Sequence, residues 1–151
     1  MSVRVRKGAT KDGETLSESP QRVLPPTDGP VGFFWTSGRD GRMRFLRCSG
    51  CSYFIHPPTS YCPRCGGRDV APKVVSGRGT VHSFTVNHQP WDGTPDAYVI
   101  GVVEMDEQPG LRLMTNIVDI AADEARIGLP VEVVFEDHEP VYLPVFRPGT
   151  S

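Results

Sequence analysis

All four cysteines of the 151-residue chain fall within residues 48–65, as two Cys-x-x-Cys pairs: Cys48 with Cys51, and Cys62 with Cys65. Ten residues separate the pairs. Zinc takes four tetrahedral ligands, and thiolate sulfur suits it. A Cys-x-x-Cys turn brings two sulfurs onto one ion, so two such turns close one site. Small residues favour the tight turns: Gly50 in the first, and Pro63, Gly66 and Gly67 around the second. Backbone N–H groups in such turns donate to the sulfurs and stabilise the thiolates. A site with four protein ligands leaves no open coordination position, so the ion is expected to be structural, not catalytic. Structural zinc in small peptides contributes on the order of 10 kcal/mol of apparent binding energy, enough to fold a module with almost no core.

Two other uses of the thiols are open. Redox Cys-x-x-Cys pairs open a helix in a βαβ setting, which this sequence lacks. Free thiols in a β-hairpin are the plainer alternative. Iron is the second metal candidate, because "CPRCG" resembles a rubredoxin knuckle, but the short gap between the pairs favours a zinc ribbon over iron. His56, between the knuckles, reads as a packing or surface residue, and as a ligand only remotely.

Other residues with chemical potential are fewer. There is no G-x-S-x-G elbow, P-loop or G-x-G-x-x-G motif. "SGRGT" at 76–80 is read as a turn or bulge opening a strand. His82 and His88 are an even number of residues apart on one predicted strand, on the face of Phe84 and Val86, where packing at a core rim is the expected role. The loop 87–98 carries Trp91, Asp92 and Asp96; a His–Asp acid–base pair there is one reading and a recognition surface another. Phe33, Phe34 and Trp35 are adjacent, so at least one is a candidate interface anchor.

Charge is divided along the chain. Residues 1–78 carry 13 Lys/Arg and 6 Asp/Glu, whereas residues 79–151 carry 3 and 12. A phosphate-tracking groove needs clustered cations, so the acidic half is a poor nucleic-acid surface. Residues 39–78 hold eight basic and two acidic residues. Arg42, Arg44, Arg47, Arg64 and Arg68 are therefore candidates for holding a phosphate-bearing small ligand or an acidic protein surface. A solvated ribbon, partly neutralised by the −2 charge of a zinc–thiolate centre, is the bland alternative.

The elements that would position these residues are mostly β. Glycine and proline number 16 and 15, which points to short strands and many turns. Residues 1–29 are polar and read as a flexible tail. Residues 30–47 read as a helix from near Pro30 to Gly41 and a strand over 42–47 leading into the ribbon at 48–76. Residues 77–148 alternate as strands over 79–88, 97–106, 110–120, 129–137 and 141–148, with a hairpin turn at 106–110 and a helical turn or two at 121–128. Pro144 marks the last as an edge strand or a bulge. Five strands with a short helix between the third and fourth is the order of the OB-fold barrel. The longest apolar run, residues 97–103, is too short to span a bilayer, and no secretory leader is evident, so a soluble cytoplasmic protein is expected.

In this order the segments "FFWTSGRDGRMRFLRC", "RCSGCSYFIHPPTSYCPRCG", "GRGTVHSFTVNHQP", "YVIGVVEMDEQPGLRLMTNIV" and "ARIGLPVEVVFED" with "LPVFRP" resemble the domain-of-unknown-function-35 family, a rubredoxin-like zinc ribbon followed by an OB-fold. The resemblance runs from Phe33 to Pro148. It implies a non-catalytic partner of acyl-CoA enzymes, thiolases or aldolases of the lipid-transfer type or hydratase-like subunits, in steroid side-chain or fatty-acid breakdown. Such a subunit would stabilise the enzyme and help form its CoA channel. Only the four cysteines carry over residue by residue; Phe33, Phe34, Trp35, the five arginines and Trp91 are candidates for the surface facing partner or CoA. Ser52 stands where a Gly often follows the first knuckle. A single-stranded nucleic-acid-binding ribbon–barrel, and an enzyme acting alone, are the competing expectations.

Overall fold

The computed structural model describes residues 5–7, 23–89 and 96–150. Its core is a barrel of five strands: β5 (Arg78–Asn87), β6 (Tyr98–Met105), β7 (Arg112–Ile117), β8 (Pro130–His138) and β9 (Val141–Pro148). Antiparallel pairing joins β5 to β6, β6 to β7, β8 to β9 and β5 to β8. A parallel contact at Ile117 and Phe146 closes β7 on β9, so this is the OB-fold expected from strand order. Alternation builds the inside: Leu111, Leu113, Thr115 and Ile117 are all buried, as are Val99, Val103 and Met105.

Four local differences from the sequence expectations have physical causes. Val5–Lys7, within the segment read as a tail, form a strand (β1) laid parallel to Phe135–Asp137 of β8. Residues 121–128 form one 3₁₀ turn, Ala122–Glu124, because Ala121 and Ala125 on either side are extended. The intervening chain then runs to β5, where the Gly128 N–H donates to the Val81 carbonyl. A bulge in β5 shifts the register between Val81 and Ser83. Inward residues therefore change from odd (Gly79, Val81) to even (Phe84, Val86), and His82 lies at the bulge, exposed, rather than at the core rim. Finally, the ribbon holds two further short strands, β3 (Phe54–Ile55) and β4 (Val70–Val74), on either side of β2 (Arg44–Cys48).

The helix before the ribbon is α1, Gly32–Thr36, continued by a 3₁₀ turn, Ser37–Asp40. Gly41, at φ 75°, ends it in the left-handed conformation that a glycine adopts without cost. The 3₁₀ turn lies against the barrel at Gly38, where a Cβ would sit 2.4 Å from Phe135 Cδ1 and 2.7 Å from Tyr142 Cβ. Phe34, Met43, Phe45, Phe54 and Val75 share one buried cluster with the barrel interior. Ribbon and barrel thus pack through a common core. A second, small cluster, Leu46, Cys48, Ile55 and Cys62, lies beneath the knuckles.

Candidate metal centre

The two knuckles are built alike. In the first, the Ser52 N–H donates to the Cys48 carbonyl (2.9 Å) and the Cys48 N–H to the Tyr53 carbonyl (2.9 Å). In the second, Gly66 donates to Cys62 (2.8 Å) and Cys62 to Gly67 (2.7 Å) at the same offsets. Both turns need a left-handed residue directly after the second cysteine, so that the chain can close back on the first. Ser52 (φ 63°) and Gly66 (φ 76°) supply it. Sequence comparison of the knuckles alone would suggest a harmless Ser for Gly exchange; the backbone shows that Ser52 occupies a conformation L-residues disfavour.

The four Sγ atoms lie within 4.8 Å of one another. Cys48 and Cys65 are 3.6 Å apart, as are Cys51 and Cys62. A tetrahedron with metal–sulfur bonds of about 2.3 Å has edges of about 3.8 Å, so the donor set fits one tetrahedral ion. The Gly67 N–H points at Cys65 Sγ, 3.4 Å away. Burial pushes the Cys62 thiol up, but the N–H groups of Cys65 and Arg64 and the neighbouring sulfurs outweigh it and bring it down to about 7. The Tyr53 N–H lowers the Cys51 thiol, yet burial and the other three sulfurs carry it up to about 11. Four sulfurs this close share protons unevenly, and a cation is what lets all four ionise together.

His56 is not a ligand. Its ring lies 5.1 Å from Phe34 and 4.9 Å from Phe45, edge-on to the latter. Burial holds its imidazole down to about 4, and Nδ1 is buried without a hydrogen-bond partner.

The other candidates are dispersed. Phe34 is buried, and Phe33 and Trp35 are half-buried; Phe33 touches both clusters, so the aromatic triplet is largely absorbed by packing. Trp35 meets Phe34 edge-on at 4.9 Å and, with Met114, Leu143 and Pro144, lines a shallow cleft of about 160 Å³ between α1 and the β7–β9 seam. Arg44 is tied to Asp40 (2.6 Å) and donates to the Ser37 carbonyl, which closes the helical turn and holds the Asp40 carboxyl below its usual range. Arg47 donates to the Ser52 carbonyl and lies 5.1 Å over the Phe54 ring. Being three apart on β2, Arg44 and Arg47 leave opposite faces. Arg42, Arg64 and Arg68 are exposed, Arg64 lying 5.8 Å over Tyr53. His82, His88 and Asp96 are exposed, and Trp91 and Asp92 lie outside the described residues.

Family models place this architecture. Residues 35–71 match the ChsH2 rubredoxin-like zinc ribbon domain, and residues 73–136 the ChsH2 C-terminal OB-fold domain. A solved chain described as "Ltp2-ChsH2(DUF35) aldolase" superposes with a TM-score of 0.75 at 34% identity, over 84% of this chain and 100% of that one. The chain belongs to the DUF35 family. A benzoylsuccinyl-CoA thiolase subunit, BbsA, of Thauera aromatica is 32% identical over 68% of this chain and 74% of its own length. A probable enoyl-CoA hydratase alpha subunit of Thermomonospora curvata is 35% identical over 92% of this chain. This DUF35 chain spans only 44% of that relative's length. The match to a zinc ribbon and the sulfur geometry agree on a metal-binding centre. Among the described residues no helix is long and apolar enough to cross a membrane.

Proposed function

We propose that this chain is an accessory subunit that pairs with a thiolase-superfamily enzyme, a thiolase or an aldolase, acting on an acyl-CoA. The observation that carries the reading is the similarity, along the whole length of the solved chain, to the DUF35 component of an aldolase. The thiolase-subunit relative supports the same partner class. The ion is Zn²⁺, held by Cys48, Cys51, Cys62 and Cys65. With four protein ligands it shapes the ribbon and supplies no open Lewis-acid position. The ribbon, with exposed Arg42, Arg64 and Arg68, and the half-buried Phe33 and Trp35 on either side of the buried Phe34 form the surface facing the partner and its CoA.

Affinity purification of the tagged chain from its source cells, followed by mass spectrometry, tests this. Recovery of a stoichiometric acyl-CoA enzyme is expected. Recovery of nucleic-acid machinery instead, with salt-sensitive binding to single strands, would refute it. Acyl-CoA turnover should appear only in the reconstituted complex; turnover by the isolated chain would contradict the accessory role.

A further inference from the structure

The ribbon and the barrel meet at a contact that no sequence motif announces. Strand β3 is two residues long and pairs with β2 along one edge, Leu46 with Ile55 and Arg47 with Phe54. On its other edge the Phe54 backbone is met by a side chain. The Phe54 N–H donates to Gln108 Oε1 (2.8 Å), and Gln108 Nε2 donates to the Phe54 carbonyl (3.0 Å). A carboxamide has one acceptor and one donor side by side, the pattern a neighbouring strand residue would offer. Gln108 therefore stands in for a missing strand.

Each end of this contact is anchored in something specific. Phe54 is three residues from Cys51, and the intervening Tyr53 carbonyl accepts from the Cys48 N–H, so the first knuckle sets the position of β3. The Phe54 ring is buried in the shared core. Gln108 sits in the β6–β7 turn, where the Leu111 N–H donates to the Gln108 carbonyl (3.1 Å) and the Met105 N–H to the Leu111 carbonyl (2.8 Å). Met105 and Leu111 are both core residues of the barrel. The preceding residue, Glu107, accepts from the Ser76 N–H (2.6 Å) in the link between ribbon and barrel.

We propose that Gln108 is the positioning residue through which metal occupancy of the ribbon is coupled to the conformation of the barrel's β6–β7 turn. When the four sulfurs close on an ion, the first knuckle fixes β3 and the carboxamide holds the turn against it. When the ion leaves, the knuckle relaxes, Phe54 draws away from Gln108, and the turn loosens while the rest of the barrel stays folded. Coupling is reciprocal, so loss of the carboxamide must also weaken metal binding. This does not depend on the identity of the catalytic partner.

The test uses the full chain, loaded with zinc or stripped by chelation, and amide hydrogen exchange read residue by residue. In the unaltered protein, chelation should speed exchange at Phe54 and Leu111 at least tenfold and leave Val103, in the middle of β6, unchanged. In Gln108→Met, Leu111 should exchange at one rate with and without metal. Zinc affinity, measured by competition with a chromophoric chelator, should fall about 5- to 30-fold, the worth of one or two net hydrogen bonds; an unchanged affinity would overturn the coupling. Gln108→Glu keeps the acceptor and the shape but loses the Nε2 donor, and should give an intermediate result; it also serves if the Met variant folds poorly. The proposal is overturned if chelation leaves Leu111 exchange unchanged, if it affects Leu111 equally in Gln108→Met, or if Val103 accelerates with the rest.

Discussion

Gly38→Ala tests whether the aromatic segment is fixed to the barrel by contact and not merely tethered by sequence. The added Cβ would lie 2.4 Å from Phe135 Cδ1, 2.5 Å from Phe135 Cγ and 2.7 Å from Tyr142 Cβ. Ordinary carbon–carbon contact begins near 3.5 Å, so the 3₁₀ turn or the ring must move by about 1 Å. Phe135 is fully buried, at 0% exposure, and has no space to yield. Overpacking of this kind costs about 1–3 kcal/mol, and the buried Phe135 ring with the Tyr142 Cβ, neither of them the far end of a flexible side chain, place Gly38→Ala at the upper end. For a chain of this size, 3 kcal/mol lowers the melting temperature by about 6–12 °C. Calorimetry of the metal-saturated protein would read this. Gly110→Ala, at φ 81° with nothing within 4 Å of the new Cβ, is the control and should show only the backbone cost of about 1–2 kcal/mol. If Gly38→Ala melts within 2 °C of the unaltered protein, the turn is not packed against Phe135 and contact with the barrel does not fix Phe33–Trp35.

Further outcomes follow from the metal centre and its surroundings. Cys48→Ser removes a buried ligand; if about 10–16 kcal/mol of zinc binding is shared among four sulfurs, affinity should fall by a factor of about 100 or more, read by chelator competition. Ser52→Gly should stabilise the first knuckle by up to about 1 kcal/mol and slow metal release to a chelator, whereas Gly66→Ala, with open space around its Cβ, should cost about 1–2 kcal/mol through backbone strain alone. His56 titrates near 4 when folded and near 6.5 when unfolded, so its contribution is fully present above pH 6.5 and is lost as pH falls toward 4. His56→Phe should flatten that part of the stability–pH profile and, by removing an unpartnered buried nitrogen, raise stability at pH 7 by about 1 kcal/mol.

The cysteine spacing and the strand alternation carried most of the architecture, because both are periodic signals that a single sequence displays. Leu111, Leu113, Thr115 and Ile117 point inward as their alternation requires. The bulge at His82 was invisible because one inserted residue leaves no compositional trace, yet it reverses which residues face the core. The arginines looked like one basic patch when counted along the chain. In space, Arg44 is consumed by Asp40 and Arg47 by Ser52 and Phe54, since strand parity and local turns decide direction and linear density does not. Gln108 gave no signal at all: its role depends on a pairing with Phe54 across 54 positions.

X-ray absorption at the metal edge, on protein purified without added metal, tests the central claim most directly. One zinc per chain with four sulfur neighbours at about 2.3 Å is the expected result. A spectrum dominated by oxygen or nitrogen neighbours, or a metal-free protein whose ribbon amides exchange as slowly as those of the barrel, would contradict it.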